Sequence, residues 1–149
     1  MLSPNSIAPD STVLNNVVNG LILLTQQIQG IAQTFPQVPD GPPPDNSVVY
    51  VLRNIGLTTP EDGKIRWDME YEIVHLFQRT NLSTVLATAY SYIGPWVNVL
   101  SCLQNSDLNG TVQETYPLNV TLQSYSFANM PYIAIVTIVH IITDINETR

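Results

Sequence analysis

The sequence has little charge, and the charge it lacks most is positive. Only 11% of its 149 residues are charged, and five of these are cations, against twelve carboxylates. Tight binding to nucleic-acid phosphate requires clustered lysine and arginine, so DNA or RNA binding of that kind is not predicted. Asn, Gln, Ser and Thr supply the remaining polarity. A polar but weakly charged surface indicates that much of it is covered in use.

Cysteine and histidine are also scarce. Cys102 is the single cysteine, which excludes an intramolecular disulfide, and its apolar helical surroundings predict a small buried residue, not a nucleophile. A metal centre needs several ligands at workable spacing, whereas His75 and His140 are far apart in the chain. His140 lies within an apolar run and is predicted to be a core histidine. No metal and no cofactor are expected.

Other motifs that would mark an enzyme, a secreted chain or a membrane protein are missing. Hydrolase nucleophile signatures, glycine-rich phosphate loops and dinucleotide fingerprints do not occur, so no catalytic residue is predicted. The N-terminus has no basic region followed by an apolar stretch, so it does not predict a signal peptide. The longest near-apolar run, residues 132–142, is too short for a membrane helix. We expect a soluble protein made in a reducing cytoplasm, with no membrane partner.

The most informative pattern that is present lies in residues 64–79, KIRWDMEYEIVHLFQR. Polar and apolar residues alternate without a break from Lys64 to Ile73. Successive side chains of a strand point to opposite faces, so this period of two predicts a long strand with one buried and one solvated face. The solvated face would carry Lys64, Arg66, Asp68, Glu70 and Glu72.

The rest of the chain predicts two helices and further strands in one domain, residues 1–149. Apolar residues three and four apart predict a first helix, capped by Asp10 or Ser11 and stopped by Pro36, with a bend at Gly30. A second helix follows residues 80–83, with a kink near Gly94 and Pro95. Strands are predicted at 47–53, 64–79, 111–116, 120–127 and 132–144. Residues 1–9 read as an N-terminal arm.

The resulting order is α-β-β-α-β-β-β, which predicts an α+β fold with a single mostly antiparallel sheet and two helices packed on it. Residues 36–46, PQVPDGPPPDN, form a proline-rich link between the first helix and the sheet. Two interpretations of that link stay open: a plain linker, or a stiff extended strap that docks on another surface. Pro42, Pro43 and Pro44 in the link, and Glu61 and Asp62 in the loop before the long strand, are candidate partner-docking residues.

Several interpretations of the carboxylates on the long strand also stay open. Two strand rises separate Asp68 from Glu70 and Glu70 from Glu72 by about 7 Å each, a distance compatible with paired-carboxylate hydrolysis or a calcium site. Acid and base work requires contrasting environments inside a cleft, which an open sheet face does not offer. The remaining interpretations are a solvated face, a channel wall and a subunit interface paired with an arginine such as Arg53 or Arg79.

Three stretches resemble the tail terminator proteins of long-tailed bacteriophages, also described as tail completion or minor tail proteins. The first is the strand that runs straight into a helix, EYEIVHLFQRTNLSTVLATAYSYIGPWVNVL. The second is the helix exit with leucine and glycine, SDLNGTV. The third is the closing strand pair, LQSYSFANMPYIAIVTIVHI. The order of the N-terminal helix, the proline-rich link and the first strand fits the same layout.

The resemblance implies a structural virion protein without catalysis. Members form hexameric rings that cap the tail tube and present a docking face to the filled head, so the expected partners are further copies of the chain, the tail tube protein and a head-completion or adaptor protein. DNA would pass through the ring without specific binding. The expected location is the tail or neck of the virion, and the host cytoplasm during assembly.

In that setting Arg66, Asp68, Glu70, Glu72, Arg53 and Arg79 are candidates for the channel wall or the subunit interface. Two other functions are kept. The first is a head-to-tail adaptor or head-closure ring in the neck of the same particles. The second, from a different class, is a small cytoplasmic binding module that uses the sheet face for a ligand.

Overall fold

The computed structural model describes residues 8–58, 64–102, 105, 107, 108, 112 and 114–146, and only the backbone of Lys64 and of residues 144–146. Its elements are α1 (Thr12–Thr25), β1 (Gln33–Phe35), β2 (Ser47–Thr58), β3 (Lys64–Gln78), α2 (Leu82–Ser101), β4 (Glu114–Phe127) and β5 (Met130–Asn146). The five strands form one sheet in the order β1-β2-β3-β5-β4. Only the short β1 pairs in parallel. The predicted α+β class, with two helices and a single mostly antiparallel sheet, is confirmed.

The long amphipathic strand is confirmed and runs as β3 without interruption to Gln78. Met69, Tyr71 and Ile73 are buried in the larger apolar cluster, beneath the helices. The residues between them point to the other face of the sheet, as period-two alternation requires. Strand β3 pairs along its whole length with β5, so both are interior strands.

The first helix is shorter than predicted. It ends at Thr25, and residues 33–35 form β1 where a helix was expected up to Pro36. Gly30 has a φ of 92°, a conformation that favours glycine, and it turns the chain back toward the sheet. Ile28 packs with the helix-side cluster but Phe35 packs on the opposite face, an arrangement that one continuous helix would not give. The apolar spacing of residues 28–35 therefore belongs to a turn and a strand.

The second helix begins close to its predicted start and passes through its proline. The N-cap is Asn81, whose side chain accepts a hydrogen bond from the Thr84 backbone N–H. Pro95 lies inside the continuous helix, and Cys102 follows it as a half-buried C-cap residue, less enclosed than predicted. Neither helix that the structure describes is long and apolar enough to cross a membrane.

The last two strands form one long hairpin. The predicted strands at 111–116 and 120–127 are a single strand, β4, with a bulge between Pro117 and Asn119. Residues 111 and 113 lie outside the described part of the chain. The bulge accommodates the proline, which cannot contribute a full set of ladder hydrogen bonds. Strand β5 carries the apolar run that was predicted to be central.

The sheet has a cluster of apolar side chains on each face. The larger cluster lies under α1 and α2 and includes Leu21, Tyr50, Ile73 and Trp96. The smaller one, on the opposite face, contains Val49, Val74, Leu76, Tyr132, Ala134 and Val136, with Phe35, Tyr125 and Phe127 packed against it. The smaller cluster covers only the half of the sheet nearest the β4–β5 turn. The other half of that face carries the charged residues.

The proline-rich link contains no regular element and docks on the smaller cluster. Pro43 is buried, and its carbonyl oxygen accepts a hydrogen bond of 2.7 Å from the Tyr132 hydroxyl. The Asp45 carboxylate accepts from the Gln78 backbone N–H at 2.7 Å. Of the two interpretations of residues 36–46, these contacts favour a strap. The strap docks on the sheet of its own chain.

Candidate functional site

The charged residues of β3 whose side chains are described share one face of the sheet, as predicted. The acidic row, defined as Asp68, Glu70 and Glu72, lies on the face opposite the helices, together with Arg66. All four side chains are partly exposed. Toward Gln78 the same face becomes apolar and is covered by the strap. The acidic row therefore occupies the open half of a face whose other half is closed.

The neighbouring strands place further polar groups beside the acidic row. Strand register puts Glu70 between Asn54 of β2 and His140 of β5, and His140 in turn faces Tyr116 of β4. One step along, Asp68 lies in the same row as Glu114, with Ile142 between them. Because residues opposite each other in a sheet share a face, the polar surface spans four strands.

His140 is part of this surface, which corrects the prediction that it is a core histidine. Its side chain is 26% exposed; Nδ1 lies 2.6 Å from the Tyr116 hydroxyl and Nε2 lies 3.6 Å from Asp68 Oδ1. The second contact becomes an ion pair when the imidazole is protonated. The prediction assumed apolar surroundings on both sides of β5, but Glu70 and Tyr116 flank His140 in the sheet. The sequence of β5 alone does not show which neighbours it has.

The predicted arginines divide into two groups. Arg53 lies at the bulge of β2, and its Nε is 3.2 Å from Glu72 Oε2, so it joins the acidic row through an ion pair within one chain. The Arg53 side chain is 44% exposed, which leaves part of the guanidinium accessible. Arg79 follows the end of β3, is exposed, and lies beyond the strap-covered half, away from the acidic row. Arg53 and Arg66 are therefore the predicted cations that the fold places at this surface.

The predicted docking loops are only partly described. Pro42 and Pro44 are exposed, whereas Pro43 is buried against its own sheet. Glu61 and Asp62 lie outside the described residues. A partner-docking role for these positions stays a prediction, and within the strap it applies to the exposed Pro42 and Pro44.

The buried polar centre of the molecule is His75, which sequence reasoning did not single out. Its side chain is fully buried; Nδ1 accepts from the Trp96 indole N–H at 3.0 Å, so Nε2 carries the proton and donates to Asn46 Oδ1 at 2.6 Å. Burial lowers the pKa of His75 to about 3. The Asn46 amide also donates to the Gly30 carbonyl oxygen and to the Tyr92 hydroxyl.

This network connects the exit of α1, the strap, β3 and α2, so its role is to hold the helices and the strap to the sheet. The signal in the sequence was slight: a histidine on the apolar face of a strand is a common buried polar residue. Its partners are 29 and 21 residues away and are found only from the fold. A fully buried, fully bonded histidine has no open position for a substrate.

The chemistry open to the acidic face is electrostatic. Among the described residues, no group of three or more histidine, cysteine, aspartate or glutamate side chains could hold a metal ion. The three carboxylates of the acidic row lie side by side on one sheet face, and their side chains are partly exposed. What the arrangement provides is an anionic surface with a few arginines, which repels phosphate and attracts cationic side chains. A scan against protein-family models finds no match for this chain, and a search of the curated proteins also finds none.

Proposed function

We propose that the protein is a structural component of a long-tailed phage virion, which forms a ring that terminates the tail tube and joins the tail to the head. The observation that carries the proposal is the unequal distribution of charge between the two faces of the molecule. One sheet face exposes Asp68, Glu70 and Glu72. The opposite side is covered by two helices without a single charged residue.

The acidic row suits a channel through which DNA passes. Duplex DNA carries about one negative charge per 1.7 Å of its axis, so a wall of carboxylates repels it and prevents adhesion. Arg53 is held by Glu72 at 3.2 Å, and this pairing reduces its availability to phosphate. The helix side suits contact with other proteins. Because its two helices carry no charged residue, such contact does not require the removal of water from charged groups.

Binding of purified protein to isolated tail tubes tests the proposal directly. We expect closed rings of six copies to dock at one end of each tube, to stop further addition of tube subunits, and to be visible in electron micrographs. Rings that bind portal complexes and leave tube ends free would indicate the head-to-tail adaptor instead. A chain that binds neither would be a binding module of another kind, and the proposal would be wrong.

Reversal of the acidic row tests the part of the proposal that concerns DNA. We predict that Asp68→Lys with Glu70→Lys folds and forms rings, because both side chains are partly exposed, but yields particles that deliver DNA poorly. Phage titre per assembled particle is the measurement. Unchanged DNA delivery would make the acidic row a merely solvated face.

A matched control separates the position of the charges from the total charge. Asp40→Lys with Asp107→Lys replaces two exposed carboxylates outside the acidic row. Each pair of substitutions removes two negative charges and adds two positive ones, so the net charge changes from −7 to −3 in both variants. We expect the control to deliver DNA normally.

A further inference from the structure

Both lateral edges of the sheet have backbone that no described strand pairs with. At one edge, β1 pairs with only the first three residues of β2, which leaves the outer side of residues 50–58 open. At the other edge, β4 is the outermost strand. Residues 119–127 of β4, which follow the bulge, contain neither proline nor charge. Proteins usually protect such edges with charge, proline or a bulge, and Arg53 and the β2 bulge protect part of one edge, whereas residues 119–127 of the other edge have neither charge nor proline.

An uncharged groove, lined by apolar side chains together with Ser11, Asn15, Asn19 and Gln37, lies beside the open edge of β2. The edge groove has a volume of about 630 Å³ and begins where β1 ends, between α1 and residues 36–38. Leu14 and Val18 line its helix side, Leu52 its floor, and Val38, which is 54% exposed, its outer rim. An extended segment that enters the groove would meet the unpaired backbone of residues 50–52.

A projecting apolar surface lies beside the opposite edge. The apolar ridge consists of Tyr90 and Val97 on α2 and Leu118 at the β4 bulge, which are 58%, 44% and 53% exposed. Val97 and Leu118 line the same small cavity, so they are neighbours. Tyr90 precedes Val97 by two helical turns and therefore lies on the same side of α2. Groove and ridge are thus at opposite ends of the strand order, with β3 and β5 between them.

Charge favours a second copy of this chain as the partner for both surfaces. The chain carries a net charge of −7, so two copies repel each other wherever their carboxylates meet. Residues 11–39 and 80–106, which include both helices, contain no charged residue. The groove lining and the ridge are also uncharged. Contact between groove and ridge therefore brings two acidic chains together without opposing carboxylates.

Strand direction is compatible with the same contact. Strand β2 is antiparallel to β3, β3 to β5 and β5 to β4, so β4 runs antiparallel to β2. If a neighbouring copy lies beside the sheet in the same orientation, its β4 runs antiparallel to the open part of β2 of the first copy. Antiparallel pairing also joins β2, β3, β5 and β4 within one chain. A contact between two different patches is heterologous, and it generates a ring when its rotation closes.

We infer that copies of this chain associate head to tail, with the apolar ridge and β4 edge of one copy seated in the edge groove and against the open β2 edge of the next. The inference rests on the proposed ring and names the two surfaces that would build it. It also gives the part of the β2 edge that β1 leaves unpaired a partner, namely β4 of the neighbouring copy.

Lysine substitutions at the two surfaces test the inference by sedimentation velocity and native mass spectrometry. We expect Val38→Lys, at the groove, and Leu118→Lys, on the ridge, each to raise the dissociation constant for self-association about 100-fold, because an unpaired charge would be buried in an apolar contact. Leu23→Lys and Leu82→Lys are matched controls at apolar side chains that are 46% and 44% exposed and line neither surface. We expect the controls to assemble like the wild type.

An equimolar mixture of the two variants distinguishes a heterologous contact from a symmetric one. Val38→Lys keeps its ridge and Leu118→Lys keeps its groove, so one intact contact remains between them. We expect a heterodimer of about twice the 16.5 kDa chain mass and no larger species. If the mixture stays monomeric, or if each single variant assembles like the wild type, the inference is wrong.

The wild-type protein separates the inference from the proposed function. If the wild type assembles and the variants behave as expected, but the assemblies do not dock on tail tubes, the head-to-tail contact stands and the tail function fails. If the wild type stays monomeric both alone and on tail tubes, the head-to-tail contact is overturned. Equal dissociation by the control variants would also overturn it, since the effect would then come from added charge at any position.

Discussion

The two histidines of this chain lie in two halves of the same sheet. The two halves differ in burial and in the elements that cover their faces. His75 is in the closed half, fully buried, with Trp96 and Asn46 as hydrogen-bond partners. His140 is in the open half, 26% exposed, between Tyr116 and Asp68. In the closed half, helices cover one face and the strap covers the other. In the open half, one face is left to solvent and carries the acidic row.

We expect the stability of the fold to depend more on the closed half than on the open half. A buried polar network is costly to disturb because a group that loses its partner is also shielded from water. It cannot replace the lost hydrogen bond with one to water. Partly exposed charges cost little to replace, since water compensates for them. Substitutions in the closed half should therefore act on folding, whereas substitutions of exposed charges in the open half should leave folding largely unchanged.

The largest effect is expected from His75→Leu. The substitution leaves the Trp96 N–H and Asn46 Oδ1 without their partner. A buried unpaired group costs about 1–3 kcal/mol, so we expect a loss of about 2–6 kcal/mol in unfolding free energy. Urea unfolding followed by tryptophan fluorescence is the measurement. His140→Leu is the matched control in the open half, where we expect a change below about 1 kcal/mol. Equal losses would show that the two halves do not differ in this way.

The pH dependence of stability should also come from the closed half. Burial lowers the pKa of His75 to about 3 from its ordinary value of 6.5, so the unfolded chain binds a proton that the folded chain does not. The contribution of neutral His75 is therefore complete above pH 6.5 and is lost as the pH falls toward 3. Between pH 7 and pH 5 we expect the wild type to lose about 2 kcal/mol more than His75→Gln. Parallel pH profiles for the two proteins would contradict this assignment.

A smaller effect is expected where the strap is attached to the sheet. Tyr132→Phe removes the hydrogen bond of 2.7 Å to the Pro43 carbonyl oxygen, and we expect a loss of about 1 kcal/mol. Tyr116→Phe removes the contact with His140 on the open half, where water can replace it, so a smaller loss is expected. Proteolysis of the strap in both variants provides a second readout. Faster cleavage in Tyr116→Phe than in Tyr132→Phe would contradict the attachment described for the strap.

The smallest effect is expected for the ion pair between Arg53 and Glu72. Both side chains are partly exposed, at 44% and 17%, so the pair should contribute about 0.2–1 kcal/mol and weaken with salt. A double-mutant cycle with Arg53→Ala and Glu72→Ala measures the coupling. A coupling energy above about 2 kcal/mol would show that the open half also contributes to stability.

The parts of the fold that follow a single period were predictable from the sequence. The alternation of β3 identified the strand, its buried face and the acidic row, because side chains of a strand alternate whatever lies beside it. The end of α1 was not predictable, since Ile28 and Phe35 fit helical spacing although they pack on opposite faces of the sheet. Only the tertiary contacts of β1 and the strap decide whether residues 28–35 continue the helix or form a turn and a strand.

In the candidate site, too, some residues could be predicted from one strand, whereas others depend on contacts between strands. Asp68, Glu70 and Glu72 follow from one strand, and they were predicted to share a face. His140 was placed wrongly because its partners, Tyr116 and Asp68, come from two other strands whose register the sequence does not reveal. The network at His75 was missed for the same reason. Residues of one strand or helix can be predicted from the sequence to share a face. Residues that meet from different strands or helices can be identified only from the folded structure.

A three-dimensional electron-microscopy map of the assembled protein tests the central claim most directly, namely that the open half of the sheet faces a DNA channel and the neutral edges join the copies. The claim predicts a closed ring in which Asp68 and Glu70 face the central opening, with β4 of each copy beside β2 of the next. A ring whose helices face the opening and whose acidic row faces outward would contradict it.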